Sequence, residues 1–184
     1  SESAILCRHP IFIASLNSNF DIEWVYEIDG SGYELSPQIS LDGQGDILIS
    51  GLFTSTDCNF SSDTSLSSDG SGDIYLAKLN ASGNLQWVRH VGRGESFQEG
   101  SSLDVDNSND IILSIDYQDS VDISGGFIDT TLYSASSAAN GIAIVKLNNL
   151  GEIYDNNFYN IQSDSHQRKK NYIQILLRTL EKLC

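Results

Sequence analysis

The chain has 184 residues and a formal net charge of −15, and it contains no methionine. An acid surplus of this size repels the phosphates of nucleic acids and anionic membrane surfaces, so we expect neither as a partner. No apolar run approaches the about 18 residues of a membrane-spanning helix, so we expect no membrane span. Because methionine is absent, we expect a processed product or a part of a longer protein.

The composition also points to a cellular compartment. Ser, Asn, Asp and Gly are abundant and Lys is scarce, which is typical of extracellular or cell-surface proteins, and we expect that location. The cysteines Cys7, Cys58 and Cys184 lack CxxC spacing, so they predict no zinc site and permit at most one disulfide.

An internal repeat organises the chain after a lead segment, residues 1–10. The segment 11–17, IFIASLN, recurs at 74–80 as IYLAKLN and at 142–148 as IAIVKLN, with offsets of 63 and 68 residues. Several such anchors in one order predict repeated structural units. We divide the chain into repeat 1 (11–73), repeat 2 (74–141) and a partial repeat 3 (142–160).

Each repeat carries the pattern of four short strands. Alternating apolar residues and β-branched side chains favour strands over helices. In repeat 1 the strands are predicted at about 11–16, 22–28, 36–42 and 46–53, and in repeat 2 at about 74–79, 85–91, 101–106 and 110–117. We expect one four-stranded antiparallel sheet per repeat, the two sheets side by side, followed by a partial third sheet.

Hairpin turns separate the first two strands of each repeat. Gly83 and Gly151 stand where a short hairpin loop needs a left-handed residue. Phe20 occupies this position in repeat 1. We therefore expect that hairpin to be distorted or differently paired, at a cost of roughly 1–2 kcal/mol if it keeps a positive φ.

Connectors rich in Ser, Asp and Gly follow the fourth strand of each repeat, at 54–73 and 118–141. Repeated four-stranded units of this length are the pattern of β-propeller blades, which bury their faces against neighbouring blades. Two units and one opening hairpin cannot close the usual ring of about 4–8 blades. The fold class expected is therefore all-β, a partial β-propeller of repeated four-stranded antiparallel sheets, partnered by further blades or by another chain.

A family resemblance rests on these same residues. The segment 73–92, DIYLAKLNASGNLQWVRHVG, the strand at 106–114 and the connector residues Phe60, Leu66 and Asp73 resemble the bacterial SBBP-type β-propeller repeat over about residues 10–154. The resemblance implies a large secreted or cell-surface scaffold and supplies no catalytic residues. Phe20 departs from the pattern, and so does Asp155, which stands where Trp24 and Trp87 predict an aromatic residue.

The last segment, 165–184, differs from the rest of the chain. It has no Gly or Pro and carries half of the Lys and Arg residues. Its apolar residues recur at helical spacing and predict a short amphipathic C-terminal α-helix: Ile173, Leu176, Leu177, Leu180 and Leu183. Such a basic helix would cap an open blade edge or bind a partner surface, unless the segment is a sequence accident such as a shifted reading frame.

Two kinds of candidate binding residue repeat along the chain. Trp24 and Trp87 could stack on sugar rings, but equivalent strand-central tryptophans favour packing between sheets. The acidic loops resemble the start of a calcium loop, with oxygens at Asp42, Gln44 and Asp46 and again at Asp106, Ser108 and Asp110. No glutamate follows at loop position twelve, and aspartate before a strand is common in hairpin turns, so we favour a turn.

The candidate nucleophile is Cys58, which the repeat places at an inward, apolar position. His9, His90 and His166 fall in unrelated elements, so no activating base is expected beside it. The triplets beginning at Asn59 and Asn80 fit the glycosylation sequon.

These observations favour a chain that is not an enzyme and has no catalytic, cofactor-binding or metal-binding residues. The function expected is a non-catalytic extracellular binding or scaffold module with a protein or glycan partner. The alternative is a fragment of a carbohydrate-active propeller enzyme or of a lectin-like glycan binder.

Overall fold

A computed structural model describes residues 10–70, 72–94, 97–123, 131–134 and 140–162. The C-terminal helix predicted at 165–184 lies outside the described residues, as do His9, His166, Cys7 and Cys184.

The described chain is built from β-strands. The strands are β1 (Ile11–Leu16), β2 (Ile22–Ile28), β3 (Glu34–Leu41), β4 (Ile47–Phe53), β5 (Cys58–Ser61), β6 (Thr64–Leu66), β7 (Asp73–Leu79), β8 (Leu85–Gly92), β9 (Gln98–Val105), β10 (Ile111–Gln118), β11 (Ser120–Asp122), β12 (Thr131–Tyr133), β13 (Asn140–Leu147) and β14 (Ile153–Gln162). The strands predicted for repeats 1 and 2 are confirmed to within a few residues at their ends.

All strand pairs are antiparallel. One four-stranded sheet has the order β3-β4-β7-β8, which we call the first sheet, and the other consists of β9, β10, β13 and β14, the second sheet. The described residues also form three two-stranded sheets: β1-β2, which we call the N-terminal hairpin, β5-β6 and β11-β12.

The expected grouping of strands into sheets is wrong. Each four-stranded sheet joins the second hairpin of one repeat to the first hairpin of the next: β4 pairs with β7 from Ile47↔Leu79 to Phe53↔Asp73. The connector after β4 is also not a plain loop, because it folds into the small hairpin β5-β6. That hairpin brings the chain back beside β4, so β7 completes the ladder that repeat 1 alone would leave open.

The segment between β2 and β3 crosses from one sheet to the next. Gly30 and Gly32 lie in this crossing, and a Cβ on Gly32 would stand 2.7 Å from the Thr54 hydroxyl oxygen. The close approach is fixed by hydrogen bonds from the Gly32 amide to Ser55 Oγ and from the Tyr33 amide to Thr54 Oγ1, both 2.8 Å. Because β3 leaves the N-terminal hairpin here, it starts the first sheet.

The small hairpins brace neighbouring sheets. Asp29, which follows β2, bridges to Asn59 of β5 through backbone hydrogen bonds. In the same way Arg93, which follows β8, bridges to Asp122 of β11. Each connector hairpin therefore ties its own sheet to the outer strand of the preceding one.

Two apolar clusters hold the sheets face to face. The first lies between the N-terminal hairpin and the first sheet and includes Ile11, Ile28, Ile49 and Phe53. The second lies between the first and second sheets and contains, among others, Leu48, Leu52, Leu76, Leu103 and Leu113. The two central strands of the first sheet are therefore covered on both faces, and β4 and β7 are buried along their whole length.

The fold of the described part is all-β, with several antiparallel sheets and no helix. Accordingly, no helix that could cross a membrane is found among these residues.

Candidate functional site

The hairpin turns share one construction. An Asn or Asp side chain accepts hydrogen bonds from the amides two and four residues later, as Asn80 Oδ1 does from Ser82 and Asn84 at 3.0 and 2.9 Å. The third residue after it has a positive φ. The same arrangement recurs at the turns that begin at Asn17, Asp42, Asp106 and Asn148.

Where the turn begins with Asp, its second carboxylate oxygen binds a lysine. Lys78 Nζ of β7 lies 2.7 Å from Asp42 Oδ2 and 3.3 Å from Asp46 Oδ2. Gln86 of β8 donates a further hydrogen bond to Asp46 Oδ2 at 2.9 Å. The pair is buried, with side-chain exposures of 7% for Lys78 and 2% for Asp42.

The second sheet repeats this ion pair at a more exposed place. Lys146 Nζ of β13 lies 2.8 Å from Asp106 Oδ2 and 3.0 Å from Asp110 Oδ2, and its side chain is 26% exposed. In the N-terminal hairpin the equivalent position is Ser15, which donates a hydrogen bond to Glu23 Oε2 at 2.9 Å. The hairpin therefore lacks the lysine of its two counterparts.

These contacts bear on the choice between a calcium loop and a turn. Asp42 Oδ1 accepts the amides of Gln44 and Asp46, while Oδ2 accepts the Lys78 ammonium. A lysine ammonium thus occupies the place that a loop cation would take. The geometry supports the turn interpretation at both sites.

The ion pairs shift the pKa values of their members. Burial by itself would raise the pKa of Asp42, but hydrogen bonds from Lys78, Asp46 and Gln44 lower it below its usual value. The pKa of Asp106 is lowered by the same balance of burial against hydrogen bonds. Burial opposes charge on Lys146, yet its hydrogen bonds to Asp106 and Asp110 raise its pKa.

Both tryptophans lie against the turn of the following sheet. A Cβ on Gly83 would stand 2.6 Å from the Trp24 ring, and the Trp24 indole donates a hydrogen bond to the Ala81 carbonyl at 3.3 Å. Trp87 lies against Gly151 in the same way, with a Cβ separation of 2.8 Å. Both rings are half-buried, so the structure favours packing between sheets over sugar stacking.

Phe20 keeps the turn that its glycine counterparts form. Its φ is 66°, and its amide donates to the Asn17 carbonyl at 3.0 Å, as the Gly83 amide does to Asn80 at 2.9 Å. The expected distortion of this hairpin is therefore wrong, because the hydrogen bonds of Asn17 hold the left-handed conformation. The aromatic side chain is 83% exposed.

Cys58 is fully buried at the inward position that the repeat predicts. Burial, reinforced by the carboxylates of Glu34, Asp57 and Asp29, raises the pKa of its thiol. Burial, and to a smaller extent the nearby Cys58, raises the pKa of Tyr26 to about 12. A thiol held protonated in this way is a poor nucleophile.

Asp69, Asp73 and His90 come together at one end of the first sheet, an arrangement that sequence reasoning missed. Their ligand atoms all lie within 4.8 Å of one another. Asp73 begins β7, His90 lies in β8, and Asp69 lies in the connector between β6 and β7. From the sequence alone, His90 comes into consideration only as an activating base for Cys58, whereas the β7-β8 ladder places it beside Asp73.

An apolar surface remains exposed on the N-terminal hairpin and on β3. We call it the open face. Its residues are Phe12, Leu16, Ile22, Val25, Ile39 and Leu41, each at least half exposed. The outer edge of β1 borders it, since among the described strands β1 pairs with β2 alone, and a groove lined by Pro10, Ile11, Leu35 and Pro37 separates β1 from β3.

No protein-family model matches the sequence, and no curated protein matches it either. The resemblance to the SBBP-type repeat therefore stays a prediction.

Proposed function

We propose that this chain is a non-catalytic extracellular binding or scaffold module built from β-propeller repeats, and that it binds through the open face. The stacked sheets, each tied to its neighbour by a connector hairpin, support the propeller part of the proposal. The abundance of Ser, Asn, Asp and Gly supports the extracellular location.

The proposed binding role rests on the exposure of residues at equivalent positions of the repeats. Phe12 is 61% exposed, whereas its counterpart Tyr75 in the first sheet is 0% exposed. On β3, Ile39 is 60% exposed, whereas its counterpart Leu103 in β9 is 9% exposed. Tyr75 and Leu103 are covered by a preceding sheet, and the open face has the same apolar residues without that cover.

The exposure of Ile39 on β3 follows from a difference between the N-terminal hairpin and the first sheet, as the described residues show them. Leu103 of β9 and Leu48 of β4 belong to the same apolar cluster, so β4 packs against β9. Among the described residues, the N-terminal hairpin corresponds to β7 and β8, and no strands equivalent to β3 and β4 pair with it. An occupant of the open face would therefore supply an antiparallel hairpin that pairs with the free edge of β1.

The charge around the open face restricts the occupant further. Asp21, Glu23 and Glu27 are exposed along the turn and β2, and the sequence has no Lys or Arg between residues 10 and 77. Ser15 and Glu23 replace the Lys78 and Gln86 that bind aspartates elsewhere. An aspartate hairpin would meet no lysine or arginine among the described residues of the open face, so we propose a hairpin that carries Lys or Arg, from another blade or another chain.

The experiment places a positive charge on the open face. We expect Ile39→Lys to repel the basic occupant and to weaken association measured by sedimentation equilibrium over a range of concentrations. Leu150→Lys is the matched control, since Leu150 is 53% exposed but lies in the β13-β14 turn, away from the open face. Hydrogen exchange of β1 amides in the unaltered chain should slow as the concentration rises, because pairing protects them.

Two results would overturn the proposal. One is a chain that stays monomeric at every concentration, also when mixed with basic hairpin peptides, while the β1 amides on the edge away from β2 stay unprotected. The other is turnover of glycans in a survey of hydrolase and lyase substrates that is lost when one carboxylate is replaced.

A further inference from the structure

We propose that Asp69, Asp73 and His90 form a binding site for a divalent transition-metal ion, for which Zn²⁺ is the probe. The site would hold the connector between β6 and β7 to strand β8. It is independent of the open face.

Among the described residues, no lysine or arginine forms an ion pair with the Asp73 carboxylate. Its residue is 0% exposed, and its contacts are the amides of Asp69 and Gly94, at 2.7 and 3.3 Å, and the His90 ring. Lys78 and Lys146, which neutralise the other buried aspartates, bind elsewhere. Because an isolated buried charge is costly, a cation beside His90 would stabilise the Asp73 carboxylate.

His90 provides the second observation. Its side chain is 4% exposed, and Nε2 lies 3.1 Å from Asp73 Oδ2. The two atoms are nevertheless not aligned for a hydrogen bond, and Nε2 has no hydrogen-bond partner among the described residues. A buried ring nitrogen thus lies beside a carboxylate oxygen without a hydrogen bond between them.

The distance between these atoms fits a shared ion. Two ligands that bind one ion at about 2.0–2.1 Å lie about 2.9–3.4 Å apart in octahedral or tetrahedral geometry. The separation of 3.1 Å between Nε2 and Oδ2 falls within this interval. The hydrogen bond from the Asp69 amide to Asp73 Oδ2 holds this carboxylate in place, as outer hydrogen bonds do for metal ligands.

Asp69 gives the site its third ligand and its access to solvent. Its side chain is exposed, while its ligand atom lies in the same cluster within 4.8 Å. One imidazole and two carboxylates favour Zn²⁺ or a similar ion over Ca²⁺ and Mg²⁺, which prefer oxygen ligands alone. Water would complete the coordination on the exposed side.

The test compares two exposed aspartates of segment 54–73: Asp69, which belongs to the proposed site, and Asp63, which lies in the turn between β5 and β6. We expect Zn²⁺, added to the metal-stripped full chain, to bind with an affinity that Asp69→Asn lowers at least about tenfold. Asp63→Asn is the matched control and should bind as the unaltered chain does, so that zinc held by cysteines or other histidines cancels in the comparison. Ca²⁺ should not compete at equal concentration.

A spectroscopic readout locates the ion. Zn²⁺ should move the imidazole nitrogen resonances of His90, identified by their absence in His90→Gln. Equal zinc affinity in Asp69→Asn and Asp63→Asn, or His90 resonances that zinc leaves unmoved, would overturn the site.

Discussion

Gly51 lies directly opposite Tyr75 in the ladder between β4 and β7, and the tyrosine ring covers the place of a side chain on Gly51. A Cβ there would stand 2.6 Å from the Tyr75 hydroxyl oxygen. In the second sheet the pair occurs in reverse chain order, with Tyr117 of β10 opposite Gly141 of β13. Each sheet thus accommodates its buried tyrosine by having a glycine across the ladder.

We expect Gly51→Ala to lower the free energy of unfolding by about 1–3 kcal/mol, because the new methyl group overpacks a buried ring. Urea denaturation followed by circular dichroism measures the change. Gly100→Ala is the control at a position with space for a methyl group, since the nearest atom to its Cβ, from Ile74, would be 3.8 Å away. If both substitutions have the same effect, the Tyr75 contact does not restrict Gly51.

The Asp turns have two separable functions, which Asp42 lets us test. Asp42→Asn keeps the oxygen that binds the Gln44 and Asp46 amides but loses the negative charge opposite Lys78. We expect it to cost about 1–3 kcal/mol, since the buried ammonium keeps only the Asp46 carboxylate. Asp42→Ala also loses the turn and should cost more. Urea unfolding of both variants gives the comparison.

Asp106→Asn provides the matched change at the equivalent position. The Lys146 side chain is 26% exposed against 7% for Lys78, so water can replace the lost contact. We therefore expect a smaller loss of stability than for Asp42→Asn. Equal losses at the two sites would contradict the role assigned to burial.

The same carboxylates predict how stability depends on pH. The pKa values of Asp42 and Asp106 are lowered in the folded chain from 3.8. Their contribution is therefore fully present above this value and is lost as the pH falls through the folded pKa values. The difference in unfolding free energy between the unaltered chain and the Asp42→Asn, Asp106→Asn double variant should shrink below pH 3.8. A difference that stays constant down to the acid limit would contradict this linkage.

The sequence predicted the strands and turns well because both are encoded locally. Alternating apolar residues located β3, β4, β7 and β8, and the Asn80–Gly83 spacing located a turn. The small hairpin β5-β6 was missed, since four-residue and three-residue strands in a Ser- and Asp-rich segment resemble a loop.

Long-range pairing was the part that local patterns could not predict. The grouping of strands into sheets failed because β4 finds its partner beyond the connector. The Asp42–Lys78 pair depends on that same ladder. A signal for it was present, however: Lys78 and Lys146 occupy the same repeat position in a chain with few other lysines.

The left-handed turn position offers the last test, which compares three of its occurrences. Phe20, Gly45 and Gly83 all have a positive φ, at 66°, 81° and 78°. Phe20→Gly should raise the free energy of unfolding by about 1 kcal/mol, since glycine adopts this conformation without strain.

Alanine substitutions at the two glycines separate backbone strain from the contact with Trp24. A Cβ on Gly45 meets no atom within 4 Å, so Gly45→Ala measures the cost of the positive φ alone. Gly83→Ala adds a Cβ placed 2.6 Å from the Trp24 ring, and we expect it to destabilise the fold by about 1–3 kcal/mol more. The extra loss should largely disappear when both alanines are compared in a Trp24→Ala background, as a double-mutant cycle in urea would show. If it persists there, Trp24 does not pack on this turn, and the contact between the N-terminal hairpin and the first sheet must rest on the apolar cluster around Ile28 and Phe53 alone.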